Sequence, residues 1–134
     1  AMRVNIGGSA LSGSGKYRHS TFRSQEANSG STLAQSSADY QLTYFEIGFA
    51  HATTSSVYKS DFEITCFRPL DTTAYNNFLW DNFCWNGTET AGNWKGGGSH
   101  TDTSGAVSGI SIAPYQFGSG NIELDKVVVY GLKI

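Results

Sequence analysis

Apolar and polar side chains alternate in several short segments, and this pattern most restricts how the chain can fold. In the segment Val57 to Phe67 the apolar side chains occupy every second position: Phe62, Ile64 and Cys66. The segment Val107 to Ala113 repeats the period, with Ile110 and Ile112 on one side. A period of two is typical of a β-strand with one buried face. These segments therefore predict strands rather than helices.

Further strands are predicted where apolar residues occupy both faces. Tyr40 to Ala50 has aromatic and aliphatic residues at both odd and even positions, which indicates burial on both faces or a β-bulge. Asp71 to Asn82 combines helical spacing with turn residues, and we favour a strand from Asn77 to Trp85. A last strand is predicted over the final fourteen residues, Asn121 to Ile134, where Val127 to Val129 are all β-branched.

The segments between these strands are rich in glycine and polar residues. Residues 7–39 are poor in apolar side chains and predict short strands or an extended, loop-rich arm. Residues 86–105 contain Gly96, Gly97 and Gly98 and predict a long loop. Seven or eight short strands joined by such segments predict an all-β fold, an antiparallel jelly-roll β-sandwich that forms a single domain over residues 1–134.

Composition and charge exclude several classes of function. Charged residues make up 15% of the chain and the formal net charge is −2, so no basic stripe is available for nucleic acid. No apolar run is long enough for membrane insertion as a helix. The two cysteines, Cys66 and Cys84, lie in apolar segments and are interpreted as core thiols, with a disulfide between them as the alternative.

The C-terminal residues carry a resemblance to a known family. Ile110 and Ile112 are followed by Gly118-Ser-Gly120 and then by the ending Val129-Tyr-Gly-Leu-Lys133. This order resembles the C-terminal end of a jelly-roll module of bacteriophage tail and fibre proteins, where an isoleucine strand, a glycine turn and Val-Tyr-Gly-Leu-Lys recur. The resemblance covers roughly the last quarter of the chain.

The resemblance implies a setting and a role. It implies a non-enzymatic virion module, located in the tail and made in the host bacterial cytoplasm, that forms the distal domain of a tail fibre or tail tip. Such modules are usually three-fold, so a homotrimer is expected. The implied ligand is a host-surface polysaccharide. The alternatives are a purely structural trimerising fibre or capsid-decoration domain and a small glycan-active enzyme.

An aromatic cluster between residues 75 and 95 supplies the candidate binding site. Sugar sites place a flat aromatic face against the apolar C–H side of a pyranose, with polar side chains at the hydroxyls. The candidate ligand-binding residues are Tyr75, Trp80, Trp85, Asn86, Asn93, Trp94 and Lys95. No catalytic, metal-binding or cofactor-binding residues are predicted, because the histidines, cysteines and carboxylates match no known spacing.

The same aromatic residues also have a purely structural interpretation. Large aromatic side chains usually pack inward, so Trp80 and Trp85 can belong to the core. Trp94 lies in the predicted glycine-rich loop and is the residue expected to be exposed, either to a glycan or to a neighbouring subunit.

Overall fold

The structure, a computed structural model, describes residues 1–26, 32–48, 60–85, 91–113 and 126–131. The described residues contain no helix, and the chain is all-β, as the alternation predicts. The strands are β1 (Met2–Ile6), β2 (Ser9–Ala10), β3 (Tyr17–Glu26), β4 (Thr32–Leu42), β5 (Ser60–Phe67), β6 (Asn76–Trp85), β7 (Ala91–His100) and β8 (Val107–Ile112).

These strands form two antiparallel sheets. The larger sheet has five strands in the order β4-β3-β7-β6-β5, and the smaller has three in the order β2-β1-β8. Strand β1 therefore pairs with β8, the last strand of the described residues, and Val4 lies opposite Ile110. The ladder continues beyond both strands, because Ala1 and Ala113 exchange backbone hydrogen bonds.

The core combines side chains from both sheets with others from residues 43–48. Its buried members are Met2, Val4, Tyr17, Phe45, Ile47, Phe78 and Trp80. The Tyr17 hydroxyl connects the sheets, since it accepts from the Val4 amide at 3.0 Å and donates to the Leu11 carbonyl at 2.7 Å. Met2 and Phe45 exchange backbone hydrogen bonds of 2.9 Å. The two sheets are thus joined in a sandwich-like arrangement.

The central strand β7 is built around the glycine triplet. Gly96 pairs with Trp80 of β6, and Gly98 pairs with Phe78. A Cβ atom at Gly98 would lie 2.7 Å from a ring carbon of Phe45, and one at Gly96 would overlap the indole of Trp80. Strand β7 can therefore lie beneath large aromatic rings because it lacks side chains at these two positions.

The predicted loop over residues 86–105 is consequently wrong for its described part. Residues 91–100 form the middle strand of the larger sheet, paired on both sides. Glycine content indicated a turn, but here glycine provides space for rings from neighbouring strands. Residues 86–90 lie outside the described residues.

Two other expectations concern the first half of the chain. Of the two alternatives for residues 7–39, short strands or an extended, loop-rich arm, the described residues show strands, namely β2, β3 and most of β4. The strand predicted from Tyr40 to Ala50 ends at Leu42, after which Phe45 forms only an isolated bridge to Met2. Tyr44, Phe45 and Ile47 are nevertheless buried, which explains why both faces of that segment are apolar.

The strand prediction near the C-terminus is also wrong for the residues that the structure describes. Residues 126–131 have no strand assignment, and the side chains of Val129 and Tyr130 are 87% and 88% exposed. β-branched composition favours a strand only where an edge is available for pairing. The rest of the predicted strand, residues 121–125 and 132–134, lies outside the described residues.

The cysteines follow the core-thiol interpretation as far as they are described. Cys66 is a free, half-buried thiol that packs against the core. It pairs with Phe78, whereas Cys84 lies six residues further along β6 and pairs with Ser60. At about 3.4 Å per residue this separation far exceeds the Cα distance that a disulfide bridges.

Candidate functional site

The larger sheet has one buried face and one exposed face. Along β3, buried Tyr17, His19 and Thr21 alternate with exposed neighbours. Along β6, buried Asn76, Phe78 and Trp80 alternate in the same way. We call the exposed face of the larger sheet the outer face and the buried face the inner face. The outer face is the candidate site. Its partly exposed apolar side chains are Phe22, Phe67, Leu79 and Phe83.

One row of side chains crosses the centre of the outer face. The strand register places Phe22 on β3 opposite Lys95 on β7, and Lys95 opposite Asp81 on β6. The row continues to Glu63 on β5. Residues directly opposite each other on one face of an antiparallel pair have Cβ atoms about 4.5–5.5 Å apart. An aromatic ring, a cation and a carboxylate are therefore immediate neighbours.

An ion pair occupies the middle of this row. The Lys95 Nζ atom lies 2.6 Å from Asp81 Oδ2, while the two side chains remain 60% and 41% exposed. An exposed pair of this kind contributes little to folding, about 0–1 kcal/mol. Because both side chains are partly exposed, the Lys95 ammonium and the Asp81 carboxylate can still form hydrogen bonds with a ligand from solvent. The ion pair holds these two groups side by side.

A shallow groove of about 560 Å³ lies beside the ion pair. Phe22 and Lys95 border it, and its surface is otherwise formed by small residues: Ser20, Thr21, Ser36, Ala38, Gly96 and Gly97. The depression exists because serine, alanine and glycine project little from the sheet. Its volume falls within the range of about 300–1,000 Å³ that is typical of small-molecule sites.

The ion pair lies between two apolar neighbours along strand β6. Leu79 precedes Asp81 by two residues and Phe83 follows it by two, so all three side chains share the outer face. Asn93 lies opposite Phe83. The outer face thus combines flat apolar surface with hydroxyl, amide and charged groups, the combination expected of a sugar site.

The predicted site residues are divided between the two faces. Asn93 and Lys95 lie on the outer face, next to the groove or the ion pair. Trp80 is on the opposite face, only 4% exposed, within the core. Tyr75 is exposed in the turn before β6. Trp85 is the last residue of β6, and Asn86 lies outside the described residues.

Trp94 differs most from its expected position. It lies in the middle of the sheet on the inner face, opposite Arg23 on one side and Asn82 on the other. Its indole is half-buried and packs against the core, and the guanidinium carbon of Arg23 lies 5.4 Å from the ring centroid. This contact is within the range of a cation–π interaction. The structure therefore places Trp94 among the packing residues.

Sequence reasoning missed Phe22 and Leu79 on the outer face, and it placed Phe83 in the aromatic cluster but not among the candidate ligand-binding residues. Strand β6 is apolar on both faces, so its sequence shows no alternation that would separate Leu79 from Phe78. Phe22 is surrounded by polar residues in a segment for which short strands or an extended arm were both expected. One sequence signal could have identified Phe22. The small residues Ser20 and Ser24 lie two positions before and after it, so in a strand all three share one face.

The described part of the chain contains neither a cluster of potential metal ligands nor a helix that could span a membrane. Within it, no three His, Cys, Asp or Glu side chains gather in a way that could hold a metal ion. The described residues also include no helix long and apolar enough to cross a membrane.

Comparison with known protein families, with curated proteins and with solved structures found no match to this chain.

Proposed function

We propose that this protein is a non-enzymatic bacteriophage virion module, the distal domain of a tail fibre or tail tip, and that its outer face binds a host-surface glycan. The observation that carries the binding proposal is the central row of the outer face, where exposed Phe22 lies opposite Lys95 and Lys95 pairs with Asp81. The resemblance of the C-terminal residues to phage tail modules supports the virion setting.

The chemistry of the outer face suits a sugar better than a wholly apolar ligand. A pyranose has an apolar C–H side, which an aromatic ring can cover, and hydroxyls along its edge, which need hydrogen-bond partners. Phe22 is 51% exposed and offers the ring. Lys95 offers donors and Asp81 acceptors, while Ser20 and Ser36 line the adjacent groove.

We assign the fold to the jelly-roll class as part of the same proposal. The assignment is supported by the nested pairing of strands, in which β1 pairs with β8, β3 with β7 and β5 with β6. A jelly roll is a two-sheet fold in which the chain folds back on itself in this nested manner. The direct pairings of β1 with β2, β3 with β4 and β6 with β7 add hairpins to that scheme.

A glycan array with matched variants tests the binding proposal. The purified protein is applied to bacterial surface polysaccharides, and Phe22→Ala is compared with Phe67→Ala. Phe67 is a suitable control because it lies on the outer face with similar exposure, 44%, but at the far end of β5. We expect Phe22→Ala to lose binding and Phe67→Ala to retain it. Equal binding by the two variants, or no binding by the wild-type protein, would contradict the proposal.

The second candidate is a structural module that associates into a trimer without a ligand. The observation in its favour is the exposed apolar segment Val127–Tyr130, since exposed apolar patches often mark interfaces. If this segment forms the trimer contact, the double variant Val129→Lys/Tyr130→Lys should be monomeric by light scattering and keep its β-sheet circular dichroism. An unchanged molar mass in the double variant would remove the segment from the interface.

A further inference from the structure

We infer that the outer-face site selects neutral glycans with adjacent hydroxyls over acidic polysaccharides. The inference rests on the proposed glycan-binding function and goes further by naming the ligand class. It follows from the charge balance and the geometry of the Lys95–Asp81 pair.

The ion pair at the centre of the outer face opposes the binding of a polyanion. Lys95 borders the groove, and its ammonium is already neutralised by Asp81 at 2.6 Å. Beyond the pair, the same face carries the cation Arg18 on β3, two residues from Ser20 of the groove, and the carboxylates Asp61 and Glu63 on β5, two strands away from Lys95. An acidic sugar that pairs with Lys95 would have to displace Asp81, and its own carboxylate would then lie beside that of Asp81. Like charges this close disfavour binding.

The same ion pair is well suited to a neutral diol. Adjacent hydroxyls on a pyranose ring can each donate and accept one hydrogen bond. One hydroxyl can accept from the Lys95 ammonium while its neighbour donates to an Asp81 carboxylate oxygen. Hydrogen bonds that involve a charged partner are stronger than those between neutral groups. The pair therefore recognises the spacing of two hydroxyls without requiring any charge on the ligand.

Phe22 fixes the orientation of such a ligand. Its ring is directly opposite Lys95 in the register, on the side away from Asp81. A pyranose that places its hydroxyl edge on the ion pair can therefore extend its C–H face over Phe22. The groove of small side chains beside Phe22 leaves room for the next sugar of a chain.

Binding measurements against polysaccharides of known charge test this inference. The neutral probes are mannan and dextran, and the acidic probes are alginate and polygalacturonate, each measured at low and high NaCl concentration. We expect measurable binding to at least one neutral probe and at least about tenfold weaker binding to the acidic ones. For the neutral probe, raising NaCl from about 50 to 500 mM should change the Kd by less than about twofold, because screening weakens only charge–charge attraction.

Three variants separate the role of the ion pair from general effects. The double variant Asp81→Asn/Lys95→Gln should bind the neutral probe at least about tenfold more weakly. The single variant Asp81→Asn leaves the Lys95 ammonium without a carboxylate partner. We expect this variant to bind the acidic probes more tightly than the wild-type protein does. Arg68→Gln removes an exposed charge beyond the end of β5, outside the row, and should leave neutral binding unchanged.

The outcomes distinguish this inference from the proposed function. Preferential, salt-sensitive binding of an acidic probe by the wild-type protein would overturn the neutral specificity and leave glycan binding intact. Neutral binding that survives the double variant would move recognition away from the ion pair. Absence of binding to both neutral probes would overturn the neutral specificity, whereas absence of binding to every polysaccharide of the bacterial array would overturn the proposed function as well.

Discussion

The indole of Trp80 lies directly over the backbone of Gly96 on the neighbouring strand, in the space that any other residue at position 96 would fill with a Cβ atom. The ring of Phe45 stacks in a tilted arrangement against Trp80, with centroids 5.4 Å apart. Gly98 makes room for Phe45 in the same way. The aromatic rings of Trp80 and Phe45 therefore pack directly against the backbone of β7, the central strand of the larger sheet.

Gly96→Ala tests this relationship. The added methyl group would overlap the Trp80 indole, so either the ring or strand β7 must shift. We expect a loss of about 1–3 kcal/mol in the free energy of unfolding, the usual cost of overpacking a core. Chemical denaturation followed by tryptophan fluorescence measures the change.

Gly109→Ala is the matched control for that variant. Gly109 also lies in a strand, β8, but a Cβ there would meet only the Asn5 amide nitrogen at an ordinary 3.6 Å. Alanine is favoured over glycine in a strand by roughly 0.5–1 kcal/mol, so stability should stay the same or rise. A loss at position 109 as large as that at position 96 would contradict the special role of Gly96.

The two tryptophans of the inner face should both be structural. Trp80→Ala should cost about 3–5 kcal/mol, as expected for a fully buried aromatic residue. Trp94 is half-buried against the core and contacts Arg23, so Trp94→Ala should also lower stability, by a smaller amount. Glycan binding per folded molecule should remain. A Trp94→Ala protein with wild-type stability and no binding would restore this residue to the ligand site.

Cys66 should react slowly in the folded protein. Burial raises the pKa of its thiol to about 11, so very little thiolate is present at pH 8. Because the thiolate is the reactive form, labelling by a disulfide reagent should be slower than in denaturant by on the order of a hundredfold. A Cys84→Ser variant isolates the signal of Cys66. Equal rates in native buffer and in denaturant would show that Cys66 is accessible and ionised.

The strands that sequence could predict are those in which alternation is visible. Strand β5 shows it clearly, with Phe62, Ile64 and Cys66 turned toward the core, and β8 was predicted almost to its ends. These segments are half-buried, so the side-chain pattern records which face meets the core. The all-β class follows from them.

Strand β7 and the outer face could not be predicted in this way. Glycine hides the alternation of β7, because the positions that would carry core side chains are empty so that rings from other strands can occupy them. The faces of β6 are both partly apolar, so only the register reveals that Leu79 is exposed and Phe78 buried. Phe22 and Lys95 are distant in sequence and become neighbours only through pairing of β3 with β7.

The last prediction concerns acid. His100 ends strand β7, is fully buried and lies against Tyr17, with ring centroids 4.7 Å apart. Burial lowers the pKa of His100 below its usual value of 6.5 and Lys16 adds to this, while the carboxylate of Asp102 opposes it. As the pH falls through 6.5, the unfolded chain therefore takes up a proton at His100 before the folded chain does. The free energy of unfolding should decrease over this range, by at most about 1.4 kcal/mol per pH unit.

Denaturation curves between pH 7.5 and 5 measure this slope, and the variant His100→Gln assigns it. The variant removes the titrating group, so its free energy of unfolding should vary less with pH, whatever its absolute stability. Asp71 and Asp102 do not interfere, because hydrogen bonds from Thr73 and Ser104 keep the pKa of each carboxyl below 3.8. Their stabilisation is lost only in stronger acid. A wild-type slope of zero between pH 6.5 and 5, or a slope unchanged in His100→Gln, would show that His100 is not the group that couples folding to pH.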